Sequence, residues 1–210
     1  MKRPRTYAAV ILRLLIPPFL FFFNLLYPMR RVNDPARRLA AAAGGCVLVR
    51  REALARAGGF TAIRGELIDD VALAKRLKAA GASIRLSVSR AQVASVREYG
   101  SLGAVWRMVR RTAFDQLGYS WFLLLGTLAG LALLFLVPPT LVVAGAAGSR
   151  PALALGLSAW TVSAVVFMPT IRYFRLSPAW AAALPAAGTL YGGMTLDSAL
   201  RHARGLAGRW

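Results

Sequence analysis

With 210 residues, the chain has room for one modest domain and a few membrane spans. Apolar residues make up 57% of it and the mean hydropathy is +0.53, which excludes an ordinary soluble domain. Its net charge of +19 would suit nucleic acid, but most basic side chains precede Tyr119, as expected of a cytoplasmic, lipid-facing surface, so anionic headgroups account for the charge and no nucleic-acid partner is expected.

Residues 1–40 start like a signal peptide, with Lys2, Arg3 and Arg5 ahead of an apolar run from Leu14 to Pro28. Pro17 and Pro18 interrupt that run, and Arg30, Arg31, Asp34, Arg37 and Arg38 separate it from Ala40–Ala42, which could mimic a cleavage site. The pattern predicts a Pro-broken interfacial segment over 7–29, with Phe19 to Phe23, Leu25 and Leu26 on lipid. A spanning helix and a cleaved signal are the alternatives.

Within residues 41–118, the stretch from Ala41 to Leu86 reads as a soluble α/β unit. Gly44-Gly45-Cys46-Val47-Leu48-Val49 predicts a short buried strand, and the helix opening at Arg50-Arg51 stops at Gly58-Gly59. A second helix is expected from Asp69 to Ala80, with Leu73 and Leu77 on one face, followed by a strand over 84–88. A basic helix containing Trp106 then fills 101–118. Cys46 is the only cysteine, so no internal disulfide can form, and without a His/Cys cluster a structural zinc site is excluded.

Residues 119–200 predict about three transmembrane helices, because no charge falls between Gln116 and Ser149, Pro151 and Ile171, or Leu176 and Leu196. Pro138-Pro139 should end the first span near Val137 or kink it. Arg150 falls in the outer turn, with Arg172 and Arg175 inside. A third full span would put Arg201, Arg204 and Arg209 outside, against the charge rule, so a re-entrant or hairpin path over 178–196 stays open. Residues 201–210 form a basic tail. The location implied is the inner (plasma) membrane, multi-pass, with the basic domain cytoplasmic.

Among the eight acidic residues only Asp69 and Asp70 are adjacent. At a helix start they would cap it and complement its dipole, worth about 0.3–1 kcal/mol each. Two neighbouring carboxylates in so basic a context could also make a general base. Asp197, at the end of the last apolar run, reads as a snorkelling or capping residue rather than an intramembrane acid, and His202 as a solvated tail side chain.

The ordered series Gly44-Gly45-Cys46-Val47-Leu48-Val49-Arg50-Arg51-Glu52-Ala53-Leu54, Gly58-Gly59-Phe60 and Asp69-Asp70-Val71-Ala72-Leu73 resembles the acceptor half of membrane-bound family 2 glycosyltransferases. Phe21-Phe22-Phe23, Leu26-Tyr27-Pro28, Val32-Asn33-Asp34-Pro35 and Thr195-Leu196-Asp197-Ser198-Ala199-Leu200-Arg201-His202 are similar to the hopene-associated group of that family. The resemblance implies a partial GT-A type α/β domain followed by about three transmembrane helices. It makes Asp70 the catalytic base with Asp69 beside it, although the family usually has Glu-Asp. Gly44, Gly45 and Cys46 would be substrate-binding. The family's Gln-x-x-Arg-Trp motif would fall in Trp106-Arg107-Met108-Val109-Arg110-Arg111, where neither its Gln nor its Trp is present. Arg107, Arg110 and Arg111 are then the anion-binding candidates, or an interfacial helix binding lipid headgroups.

The implied reaction is inverting transfer of a sugar from a nucleotide sugar to a lipid-like membrane acceptor. Mg or Mn would be expected in a full-length enzyme and none bound by this chain alone, since no Asp-x-Asp motif occurs. A fragment lacking the nucleotide-binding half, inactive alone, is the expectation. A non-catalytic membrane scaffold or partner subunit is the alternative. A small transporter is disfavoured because the apolar runs carry no ionisable residue.

Overall fold

The structure is a computed structural model and describes residues 6–89, 92, 93 and 99–206. In chain order the α-helices are α1 (Thr6–Leu26), α2 (Met29–Val32), α3 (Arg51–Arg56), α4 (Asp69–Ala79), α5 (Leu102–Thr112), α6 (Trp121–Leu131), α7 (Val137–Ala146), α8 (Arg150–Tyr173) and α9 (Leu184–Ala203). Contacts divide the described residues into a helical unit (residues 6–21 and 99–206) and a polar unit (22–89, 92 and 93).

No strand occurs among the described residues, which overturns the expected α/β, GT-A type domain. Both proposed strands run without a ladder partner, and an unpaired strand is not stable by itself. At the first, Cys46 N–H donates to the Ala43 carbonyl, so Gly44 and Gly45 are the middle of a turn. Leu48 beyond it is fully exposed. At the second, the Asn33 side chain replaces a neighbouring strand: its Oδ1 accepts from Leu86 N–H at 2.6 Å and its Nδ2 donates to the Leu86 carbonyl at 3.0 Å.

Two small cores hold the polar unit. Tyr27, Val32, Ala41, Val71 and Leu86 form one, and Ala53, Ala57, Ile63, Leu73 and Leu77 the other. α4 serves both, Val71 facing the first and Leu73 and Leu77 the second. Gly58 and Gly59 end α3 with φ of +90° and +67°, a left-handed pair that a side chain would resist. Lys78 of α4 donates from Nζ to the carbonyls of Val32, Asp34 and Leu39 at 2.7–2.9 Å, fixing the loop after α2.

Among the described residues, three helices are long and apolar enough to cross a membrane, as in a membrane protein: Tyr7–Leu26, Trp121–Ala146 and Arg150–Tyr173. The first continues as helix through Pro17 and Pro18, where the sequence predicts a break. Both prolines are buried, and the Tyr191 hydroxyl donates at 2.8 Å to the carbonyl of nearby Leu15. Likewise Pro138-Pro139 does not end the second. α6 widens into a π-helical turn over Ala132–Leu136 just before the prolines, which lack the N–H that regular pairing needs, and α7 continues to Ala146.

α7 and α8 form a close antiparallel hairpin. A Cβ on Gly156 would come within 2.8 Å of the Pro138 carbonyl and Val142 nitrogen, and one on Gly145 would overlap the Leu153 backbone. After α8 the chain turns back along it. The Trp160 indole, near the middle of α8, donates to the Ala182 carbonyl at 3.0 Å. α9 therefore begins at mid-height, with Gly188 against the Phe135 ring. It ends beside the start of α6, where Ala199 packs with Phe114 and Leu124. Nine of its residues are buried, so it is the axis of this unit rather than one of the three long apolar helices.

Candidate functional site

In the polar unit, the first turn of α4 carries Asp69 and Asp70. Asp69 is exposed and its Oδ1 accepts from Asp70 N–H at 2.9 Å; Asp70 Oδ1 accepts from Val71 N–H at 2.8 Å. The pair thus complements the positive end of the helix, as its position alone predicts. Asp70 does something more. Its Oδ2 accepts from the backbone N–H of Gly44 at 2.6 Å, across 26 residues. A Cβ on Gly44 would stand 3.2 Å from that oxygen, whereas one on Gly45 would meet nothing. The double-glycine turn and the acidic pair, separate motifs in the sequence, are therefore one constellation. Cys46 is exposed beside it.

The structure places Arg107, Arg110 and Arg111 in the other unit, on α5. Ser101 caps that helix, its side chain accepting from Ala104 N–H. Val105 and Val109 are its buried stripe, while Arg107 and Arg111 are exposed. Arg110 is half-buried, with Nη1 3.5 Å from Asp197 Oδ2 of α9. The same oxygen accepts from the Trp106 indole N–H at 2.7 Å, and Gly193 leaves room for the ring. The Trp106 hydrogen bond holds the Asp197 carboxyl below its ordinary range; desolvation opposes this and the Arg110 charge assists it. Asp197 neither snorkels nor caps: it ties α9 to α5. His202 is also partnered, stacked on Tyr119 with ring centroids 4.5 Å apart.

The resemblance implies Mg or Mn. Among the described residues no three His, Cys, Asp or Glu side chains converge. The acidic pair alone offers too few oxygen ligands for a divalent cation.

Comparison with known proteins decides the family. The model of glycosyl transferase family 21 matches residues 20–202. The chain belongs to glycosyl transferase family 21. The motifs resembled family 2 and its hopene-associated group; the match keeps the glycosyltransferase assignment but names family 21 instead. No curated protein and no solved structure matches the chain. The family 21 match spans the Gly44–Asp70 constellation as well as α5 and Asp197. A glycosyltransferase uses a nucleotide sugar and an acceptor.

Proposed function

We propose that this chain provides the acceptor-side chemistry of a membrane glycosyltransferase, with inverting transfer from a nucleotide sugar to the hydroxyl of a membrane lipid. One observation carries the reading: Asp70 is held by Gly44 N–H, so that the double-glycine turn and the acidic pair meet at one carboxylate within the residues matched by the family. Asp70 takes the proton from the acceptor hydroxyl as that oxygen attacks the anomeric carbon, and the bond to the nucleotide diphosphate breaks on the opposite face. Gly44 N–H orients the carboxylate, and Asp69 is its neighbour on the exposed side of α4. Arg107 and Arg111, exposed on α5, are the candidate anion-binding side chains. Arg110 is committed to Asp197. Residence in the cytoplasmic membrane, with the basic faces inside, confines enzyme and lipid acceptor to one surface and raises their encounter rate.

The test is transfer of labelled sugar from a panel of uridine- and guanosine-diphosphate sugars into membrane lipids by the full chain. Asp70→Asn keeps an oxygen for the Gly44 bond but loses the base, along with the acceptor for Val71 N–H, so activity should fall roughly 10²–10⁴-fold. An Asn variant as active as wild type, or a wild type inactive with the whole panel, would sink the reading.

A further inference from the structure

One end of the helical unit is strongly cationic. Apart from Arg150, residues 99–206 carry seven arginines and two aspartates, and Asp197 is already engaged by Trp106 and Arg110. The geometry collects these charges. α7 and α8 are antiparallel and pair through Gly145–Leu153 and Gly156–Val142. From their shared turn, the 24 residues of α8 run back alongside the 26 of Trp121–Ala146, which brings Arg172 in the last turn of α8, and Arg175 just beyond it, to the level of the start of α6. α9 ends at the same place, where His202 stacks on Tyr119 and meets the Phe114 ring, which in turn packs on Trp121. α5 and its Arg107 lead into the same corner through Phe114–Ser120.

Arg107, Arg172, Arg175 and Arg204 are exposed and have no carboxylate partner among the described residues. Dipole complementarity at the ends of α8 and α9 explains one charge per helix end and no more. The neighbouring aromatic side chains are exposed as well: Trp121 is 52% and Phe122 83% accessible at the first turn of an apolar helix. Exposed indole and phenyl rings at that position mark the level of the headgroups, and cations just outside them meet phosphate.

We propose that this end of the helical unit is a binding surface for anionic phospholipid headgroups. Arg107, Arg172, Arg175 and Arg204 take the phosphates, and Trp121 and Phe122 sit among the upper acyl chains. The proposal rests on the reading that the long apolar helices cross a membrane, and it adds the lipid class and the residues that choose it.

The full chain, purified and delipidated in neutral detergent, is titrated with dioleoylphosphatidylglycerol or dioleoylphosphatidylcholine, and bound lipid is counted by native mass spectrometry. Wild type should favour phosphatidylglycerol at least about tenfold, the scale expected from a few basic residues at an anionic surface. The fourfold Arg→Gln variant at 107, 172, 175 and 204 should lose that preference. The matching fourfold Arg→Lys variant and Arg150→Gln, at the far end of the hairpin, should keep it. Equal binding of both lipids by wild type, an unchanged preference in the Gln variant, or saturable binding of polyuridylate in place of lipid overturns the proposal. Alkaline carbonate extraction of the chain from membranes separates the two readings: release refutes the membrane crossing, whereas retention with lipid indifference refutes only the headgroup surface.

Discussion

The indole of Trp106 and the carboxylate of Asp197, 91 positions apart, meet through a 2.7 Å hydrogen bond that fastens α5 to α9. Asp197→Leu would strand the indole N–H and the Arg110 guanidinium, costing about 1–3 kcal/mol. Asp197→Asn keeps an oxygen for Trp106 and loses only the charge, costing about 1 kcal/mol or less. Thermal unfolding in detergent should rank wild type above Asn and Asn above Leu.

The same carboxylate gives a pH dependence of known sign. Its folded-state pKa lies below the ordinary 3.8, so its contribution is present above that value and lost as pH falls through the lower, folded one. The stability gap between wild type and Asp197→Asn should be full at pH 7 and shrink below about pH 4. A gap that widens in acid would contradict the Trp106–Arg110 origin of the shift.

Gly44 and Gly45 separate on one methyl group. Gly44→Ala puts a Cβ 3.2 Å from Asp70 Oδ2, so the carboxylate must turn or shift by a few tenths of an ångström. Gly45→Ala enters open space. Sugar transfer should fall several-fold or more in the first, on the order of the loss seen when a catalytic group is displaced, and hardly change in the second. Equal losses would show that Asp70 is not held through Gly44.

Lys78 satisfies three carbonyls of the loop after α2 with one ammonium. Lys78→Met should cost about 2 kcal/mol locally, read as amide exchange roughly 30-fold faster over residues 32–39. Lys78→Arg should not restore protection, because a planar guanidinium cannot converge on three carbonyls as a tetrahedral ammonium does.

A Cβ on Gly188 would overlap the Phe135 ring. Gly188→Ala should therefore lower stability by about 1–3 kcal/mol despite the higher helix propensity of alanine. Phe135→Leu in the same protein should recover part of the loss. Additive losses would place the strain elsewhere.

Helices with strong periodicity and clear stops were legible in the sequence: α4 runs Asp69–Ala79 where Asp69 to Ala80 was expected, and α5 lies within 101–118. The strands were not, because apolar runs such as Gly44–Val49 announce burial without naming a partner for the backbone. Asn33 shows how a side chain can take that role at Leu86, and nothing in local spacing reveals it. Prolines misled in the opposite direction. Pro17-Pro18 and Pro138-Pro139 suggested breaks, but tertiary packing carries one helix through and a π-turn absorbs the other pair. The meeting of Gly44 with Asp70, and of Trp106 and Arg110 with Asp197, depends on contacts 26 to 91 positions apart. Residue types identified the candidates; only the fold shows which of them pair.

The descent of the chain from the end of α8 to Ala182 and its return through α9 has a consequence for biogenesis. A helix that starts at mid-height, with nine of its residues buried and an exposed stripe at Ala186, Thr189, Leu196 and Leu200, does not have two aqueous ends to anchor it. It cannot partition into a bilayer as an independent stop. α9 instead packs chiefly on α5, α6 and the π-helical turn after α6, and less on α8, so these elements have to be in place first. A reporter fused after Ala203 would then emerge on the same side as Trp121, and truncation ahead of Leu184 would leave an open, aggregation-prone cleft in an otherwise inserted protein.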